Sequence, residues 1–301
     1  MPDVILAGVD GREQARDAVA LGAALADALD GELVLGHVHP HDALALTTAY
    51  RSEPVSPIVD EAERILRAAA EWAPPGVRTV PIAASSPPRG LHALAERLEA
   101  DVIVVGSSHR AGIGRVLLGS DAEAVIAGAP CAVAVAPHGL AERPYRIGAV
   151  AVGFDGGSEA RAALGMAKRL AAACDATLAL VGVVPGATPI VWAPYVHQPD
   201  WDAIAREDRA RLERELAEVA DGAGTEVRSG DPVEQLAAVS EQADLLVLGS
   251  RGYGPVRRVL LGATAHRVVR HAACPVLVVP RTSSPSTAGV AEEAAGEEAS
   301  A

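Results

Sequence analysis

Apolar residues fall along this chain in two alternating rhythms. Short runs rich in Val, Leu and Ala read as strands: VILAGV (4–9), ELVLGHV (32–38), VRTVPIA (77–83), DVIVVGS (101–107) and CAVAVAP (131–137). Between them the apolar positions recur every three or four residues, which predicts helices over Glu13–Ala28, Ile58–Glu71 and Leu91–Glu99, with a shorter one at Asp121–Ala127. The fourth run is almost continuously apolar, as a strand covered on both faces requires. The second half repeats the rhythm, with strands near 149–154, 177–183, 225–228, 244–248 and 275–279. Strand–helix alternation of this kind predicts right-handed crossovers and a doubly wound α/β fold, with a five-stranded parallel sheet and helices on both faces in each half.

The two halves are copies. VILAGVDGREQARDA (4–18) returns 145 residues later as AVAVGFDGGSEARAA (149–163), so that Gly8, Asp10, Gly11, Ala15 and Arg16 fall on Gly153, Asp155, Gly156, Ala160 and Arg161. The stretch 106–137 returns as 249–280 at an offset of 143, with 14 of 32 positions identical. Tandem duplication explains both matches. The expected organisation is a first domain over 1–140 and a second over 146–281, joined by the Pro- and Gly-containing segment His138–Arg146. From Thr282 to Ala301 the composition collapses to Ser, Thr, Ala, Gly and Glu, which predicts a disordered acidic tail.

Composition narrows the function. Half of the 301 residues are hydrophobic but only 3% are aromatic, so a binder built on stacking platforms is disfavoured. A net charge of −13 argues against a nucleic-acid backbone or an anionic membrane as partner. Three cysteines, at 131, 174 and 274, have no short spacing, which argues against a disulfide framework or a Cys-based zinc site and suits a reducing cytosol. No apolar run approaches the length of a membrane span, and MPDVILAGVDG reads as a first strand rather than a signal peptide. A cytoplasmic location is the expectation.

In an open parallel sheet ligands bind beyond the carboxyl ends of the strands, where the strand order reverses. Asp10 and Asp155 end the first strand of each half, while Gly106 and Gly249 follow the fourth. In the second half a loop reads Gly249-x2-Gly252-x9-Gly262, then Ala263 and Thr264. Glycines let backbone amides approach phosphate oxygens, and the following helix start adds free N–H groups. The same glycines could equally serve tight turns alone. Other phosphate motifs fit poorly: Gly114-RVLL-Gly119-Ser120 has P-loop spacing without the lysine, and no G-x-G-x-x-G follows the first strand. The third strand ends on Ala83–Ala84, not on a phospho-acceptor Asp. His37, His39 and His41 could pair on a metal, but the second half has Gly182, Val184 and Gly186 there, so no metal site is assigned. Cys131 and Cys274 open the last strand of each half, as small buried residues or as redox sensors. No Ser–His–Asp or paired-carboxylate arrangement recurs in both halves, so no catalytic residue is assigned and an enzyme is not expected.

Taken together, these residues resemble the universal stress protein family. The resemblance rests on the Asp after strand one, the HV or GV ending strand two, G-x2-G-x9-G-[S/T] after strand four, LLGS or LLGATA, and APC or ACP before the last strand. It covers 1–281 as two family domains in tandem. It implies a five-stranded domain of the adenine-nucleotide-binding kind, with the first Asp and second-strand backbone meeting the adenosine and the Gly loop meeting ribose and phosphates. Carried over, the ligand-binding positions are Asp10, Val38, Gly106, Gly119 and Ser120, then Asp155, Val183, Gly249, Gly252, Gly262 and Thr264. Each half departs from the pattern. His109 stands where the first half's middle glycine belongs, where its imidazole could donate to phosphate or obstruct it. Ala263 removes the second half's hydroxyl, and Thr264 comes one residue late, turned by about 100° on a helix. Arg115 and Arg258 lie at equivalent loop positions, to pair with phosphate or to solvate the loop. The implied ligand is ATP, with or without Mg2+, or another adenine nucleotide, and the implied role is ligand-dependent regulation. The alternatives are a nucleotide-independent interaction protein and a slow ATPase. The apolar closing strands, Cys131–Ala136 and Pro275–Val279, are expected to pair with each other or, in a homodimer, with another copy.

Overall fold

The computed structural model describes residues 2–40, 57–107, 116, 118–186, 200–250 and 262–280. The first half runs β1 (Val4–Gly8), α1 (Ala15–Ala28), β2 (Glu32–His39), α2 (Pro57–Ala70), β3 (Arg78–Ala83), α3 (Pro87–Leu98), β4 (Val102–Gly106), α4 (Ser120–Ile126) and β5 (Ala132–Ala136). A 3-10 turn at Leu140–Glu142 leads to the second half. This runs β6 (Ala149–Gly153), α5 (Ser158–Cys174), β7 (Thr177–Val184), α6 (Trp201–Ala220), β8 (Gly224–Ser229), α7 (Pro232–Ser240), β9 (Leu245–Gly249), α8 (Ala263–His271) and β10 (Val276–Val279). Helix α3 starts before the apolar spacing begins, because Pro87 and Pro88 fit a first turn whose N–H groups have no helical acceptor.

The ten strands form one sheet in the order β3-β2-β1-β4-β5-β10-β9-β6-β7-β8. Within each half every pairing is parallel. At the seam β5 and β10 run antiparallel, with Val276 opposite Val135, Leu277 opposite Ala134 and Val278 opposite Val133. Both strands are buried at every position. Each would be an exposed apolar edge alone, and pairing within the chain removes both edges at once. The outer edges are blunted differently. Strand β3 carries Pro81, which has no N–H to offer, and β8 carries Glu226 and Arg228 as an ion pair.

Each face of the sheet has a core that runs through both halves. On one face α1, α2, α5 and α6 pack Leu21, Leu25, Leu66, Leu170 and Leu216 over the strands. On the other, α3, α4, α7 and α8 bury Leu94, Ile126, Leu236 and Val268. Ties across the halves include Arg169 to Asp3 at 2.5 Å and Glu123 to both His266 and Arg270 at 3.3 Å. No helix among the described residues is long and apolar enough to cross a membrane.

The cysteines sit in this interior. Cys274 is buried and Cys131 partly so, and burial pushes both thiols up to about 12. At pH 8 the folded chain should therefore react with iodoacetamide at these two positions at least about 100-fold more slowly than the urea-unfolded chain. Peptide mass spectrometry reads this directly, and comparable rates would contradict it. The linkage has a definite sign. Between the ordinary thiol value of roughly 8.5 and about 12 the unfolded chain has lost protons that the folded chain retains. Stability is full below this window and falls as pH rises through it.

Candidate functional site

The strand order reverses between β1 and β4, and again between β6 and β9, so each half opens a cleft at the carboxyl ends of those strands. The turn leaving the first strand is the same in both. Arg12 N donates to Asp10 Oδ1 at 3.0 Å, and Gly157 N donates to Asp155 Oδ1 at 2.9 Å. The residue between must take a positive φ, +79° at Gly11 and +83° at Gly156, which is why both copies carry Asp-Gly. Each Asp is thus held at a cleft mouth by its own turn. Asp10 remains largely exposed, with Arg12 Nη1 at 3.7 Å.

The glycine after the fourth strand is required for close approach. A Cβ on Gly106 would lie 2.9 Å from the Gln14 carbonyl oxygen, and one on Gly249 would lie 2.6 Å from the Glu159 carbonyl carbon. Gln14 and Glu159 are equivalent positions ahead of or within the first helix of each half. The helix therefore rests on the glycine backbone, and the strand end stays open to the cleft.

The second cleft is the larger, at about 610 Å³. Asp155, Val183, Gly249, Gly262 and Thr264 all line it, together with Phe154, Ser250 and the aliphatic Val181, Leu212 and Leu248. Gly262 is the N-cap of α8 and no side chain caps that end, so the first N–H groups of the helix have no side-chain acceptor there. One wall is acidic, with Asp155, Glu159, Asp208 and Glu215 against Arg211, whose Nη2 donates to Asp208 at 3.0 Å.

The first cleft measures about 150 Å³ and gathers Asp10, Val38 and Gly106 with Gln14, His37, Ser107 and Asp121. Gly119 caps α4 and Ser120 begins it, but neither lines the cleft; the helix presents Asp121, Ala122 and Val125 instead. His37 Nδ1 lies 2.8 Å from the Val9 carbonyl oxygen and His39 Nδ1 lies 2.9 Å from that of Pro40, so each ring is held by main chain. Among the described residues no three His, Cys, Asp or Glu side chains are grouped to hold a metal. His41, His109, Arg115, Gly252, Arg258 and the tail lie outside the described residues.

Several lining residues were not expected from sequence. Ser107 and Ser250 follow the strand-four glycines in both copies, a shared Gly-Ser that the repeat displays. Glu159 and Gln14 share a position four residues after the turn Asp. Asp208, Arg211 and Glu215 lie on the polar positions of α6, where nothing in the spacing separates a cleft wall from a solvated face.

Comparison with known proteins agrees with this architecture. The model of the universal stress protein family matches residues 1–137 and again 147–280. A universal stress protein of Thermus aquaticus is 30% identical over 132 residues, 43% of this chain and 96% of its own length. One from Mycobacterium tuberculosis is 29% identical over 199 residues, 64% of this chain and 68% of its own. The crystal structure of a universal stress protein from Archaeoglobus fulgidus shares the fold at a TM-score of 0.64, with 22% identity, covering 93% of this chain and 99% of that one. With the family pattern matched once in each half, over most of its length, this chain belongs to the universal stress protein family.

Proposed function

We propose that the chain is a cytoplasmic regulator that binds an adenine nucleotide, ATP or a close relative, foremost in its second cleft. One observation carries this reading: Asp155, Val183, Gly249, Gly262 and Thr264, far apart in sequence, line a single cleft of about 610 Å³. That volume falls within the roughly 300–1,000 Å³ of ordinary ligand sites, whereas about 150 Å³ in the first cleft falls below it. With few aromatic residues in the chain, a purine would be held by aliphatic walls, main chain and Asp155. The glycine strand end and the uncapped start of α8 are suited to phosphate oxygens. The carboxylates of the acidic wall suit ribose hydroxyls and the adenine amino group, and they oppose bare polyphosphate. A divalent cation carried in with the phosphates would offset that opposition.

Isothermal titration with ATP tests the reading, with Mg2+ and with a chelator. The wild-type chain should bind, more tightly with Mg2+. Asp155→Ala should weaken the dominant event by on the order of 10-fold, as loss of a charged hydrogen-bonding partner does, and Asp10→Ala should weaken it less. No heat at millimolar ATP would favour a nucleotide-independent interaction protein instead. Steady phosphate release would favour the ATPase.

A further inference from the structure

The seam between the halves has a pseudo-two-fold axis, and the register of β5 and β10 fixes where it passes. At the repeat offset of 143 residues, Val133, Ala134 and Val135 correspond to Val276, Leu277 and Val278. The observed pairs are Val276 with Val135, Leu277 with Ala134 and Val278 with Val133. Ala134 thus faces its own counterpart, and the axis runs between them. The helices on one face of the sheet meet in the same way. Glu123 of α4 and His266 of α8 are counterparts at that offset, and Glu123 Oε1 lies 3.3 Å from His266 Nε2.

When two identical surfaces pair, a residue on the axis meets itself: a charge meets its like, and a bulky side chain meets its equal. Here both axial positions have diverged, each in a complementary sense. Ala134 and Leu277 are both fully buried on the face that α1 and α5 cover, one small and one large. Glu123 meets His266 and also Arg270, which donates to Oε1 at 3.3 Å; the counterpart of Arg270 is Ala127. Two first halves would bring Ala against Ala, and Glu against Glu with no Arg270 beside them. Two second halves would bring Leu against Leu, and two imidazoles among two arginines. Of the three pairings, the unlike one alone fills the axis and balances its charge.

We propose that the seam is a selective interface, which accepts the unlike half and rejects a second copy of the same half. Ala134 and Leu277 set its size complementarity, while Glu123, His266 and Arg270 set its charge complementarity. The partner it fits is the other half of the same chain, which the short junction at 138–146 holds at high effective concentration. Discrimination comes from what the axis repels as much as from what it attracts. The result is a closed pair with one large and one small cleft, instead of a like-paired assembly of two chains. None of this depends on what the clefts bind.

Substitutions in the full chain can build each rejected pair inside it, and exchanging the two residues separates complementarity from ordinary packing. Leu277→Ala, which sets Ala against Ala, should lower the melting temperature by roughly 8 °C. Ala134→Leu, which sets Leu against Leu, should lower it by roughly 5 °C. Ala134→Leu combined with Leu277→Ala should recover about half or more of the summed loss, because the axis places the exchanged side chain in an equivalent site. His266→Glu with Arg270→Ala sets Glu against Glu and should lower the melting temperature by about 2 °C at low salt. That loss should shrink in about 1 M NaCl, since the three side chains are each more than a third exposed. Additive losses in the exchange variant overturn the role of size, since Leu277 would then serve the packing of its own half alone. A Glu–Glu loss that is absent, or equal at both salt concentrations, overturns the role of charge.

Discussion

Gly249→Val is expected to lose about 3 kcal/mol of stability and, with it, ligand binding at the second cleft. The cause is contact, not backbone conformation. A Cβ at 249 would stand 2.6 Å from the Glu159 carbonyl carbon, 2.8 Å from its oxygen and 2.8 Å from its Cβ. Real Cβ atoms do not come so near, so something must move. The obstacle is the main chain in the first turn of α5, which cannot rotate aside as a side-chain tip can. Nor can the helix easily retreat, because Ala160, Ala163, Leu164 and Ala167 tie it to the sheet with exposures of 5% or less. The strain must fall on the end of β9 or the start of α5, and both form the wall that holds Asp155 and Gly262 in place. Gly106→Val is the milder companion, since its nearest obstacle is one oxygen at 2.9 Å. Urea melting reads the stability and titration with ATP reads the cleft. If Gly249→Val melts like wild type and still binds, the close approach has no role in either.

The fold was largely legible because its determinants are local and written twice. Runs such as VIVVG and AVAVA are short, Val-rich and apolar at consecutive positions, as a strand covered on both faces requires. Asp-Gly at 10–11 and 155–156 encodes a turn whose φ only glycine adopts readily. Part of each cleft was legible for the same reason: Gly106 and Gly249 end strands, and Asp10 and Asp155 follow strands by two residues. The remainder depends on how elements meet, and periodicity does not report that. The seam shows the limit. The apolar patterns of β5 and β10 announce edges that need covering, yet they suit a neighbour in the same chain as well as one in another copy. The acidic wall of the second cleft shows it again. Asp208, Arg211 and Glu215 occupy unremarkable polar positions on α6. They face ligand space because α6 lies close over β7 at Gly182, where a Cβ would come 2.6 Å from a Leu212 methyl. Ser120 stands exposed at the first position of α4, which offers Asp121 to the cleft.

Asp17→Ala should cost on the order of 3 kcal/mol, through a contact that the repeat conceals. Asp17 lies inside α1 at 4% exposure, where an isolated carboxylate would be strongly unfavourable. It is satisfied by the segment between the halves: Gly139 N donates to Oδ2 at 2.9 Å and Ala141 N donates to Oδ1 at 2.8 Å. These bonds hold the 3-10 turn Leu140–Glu142 against α1, where Leu140 packs on the core. Alanine would leave two main-chain donors without their acceptor, a larger penalty than the loss of an exposed ion pair. Asp17→Asn keeps one acceptor oxygen and should fall between the two. The equivalent residue in the second half is Ala162, and the reason is topological. A tandem duplication contains two copies of every domain element but one junction, so the anchor of that junction can exist in one copy alone. Equilibrium urea unfolding of Asp17→Ala and Asp17→Asn tests the account, and the ordering of the two matters most. Should Asp17→Ala unfold with wild-type stability, the β5–β10 pairing and the ion pairs between the halves suffice to hold the junction, and the buried carboxylate has no part in joining them.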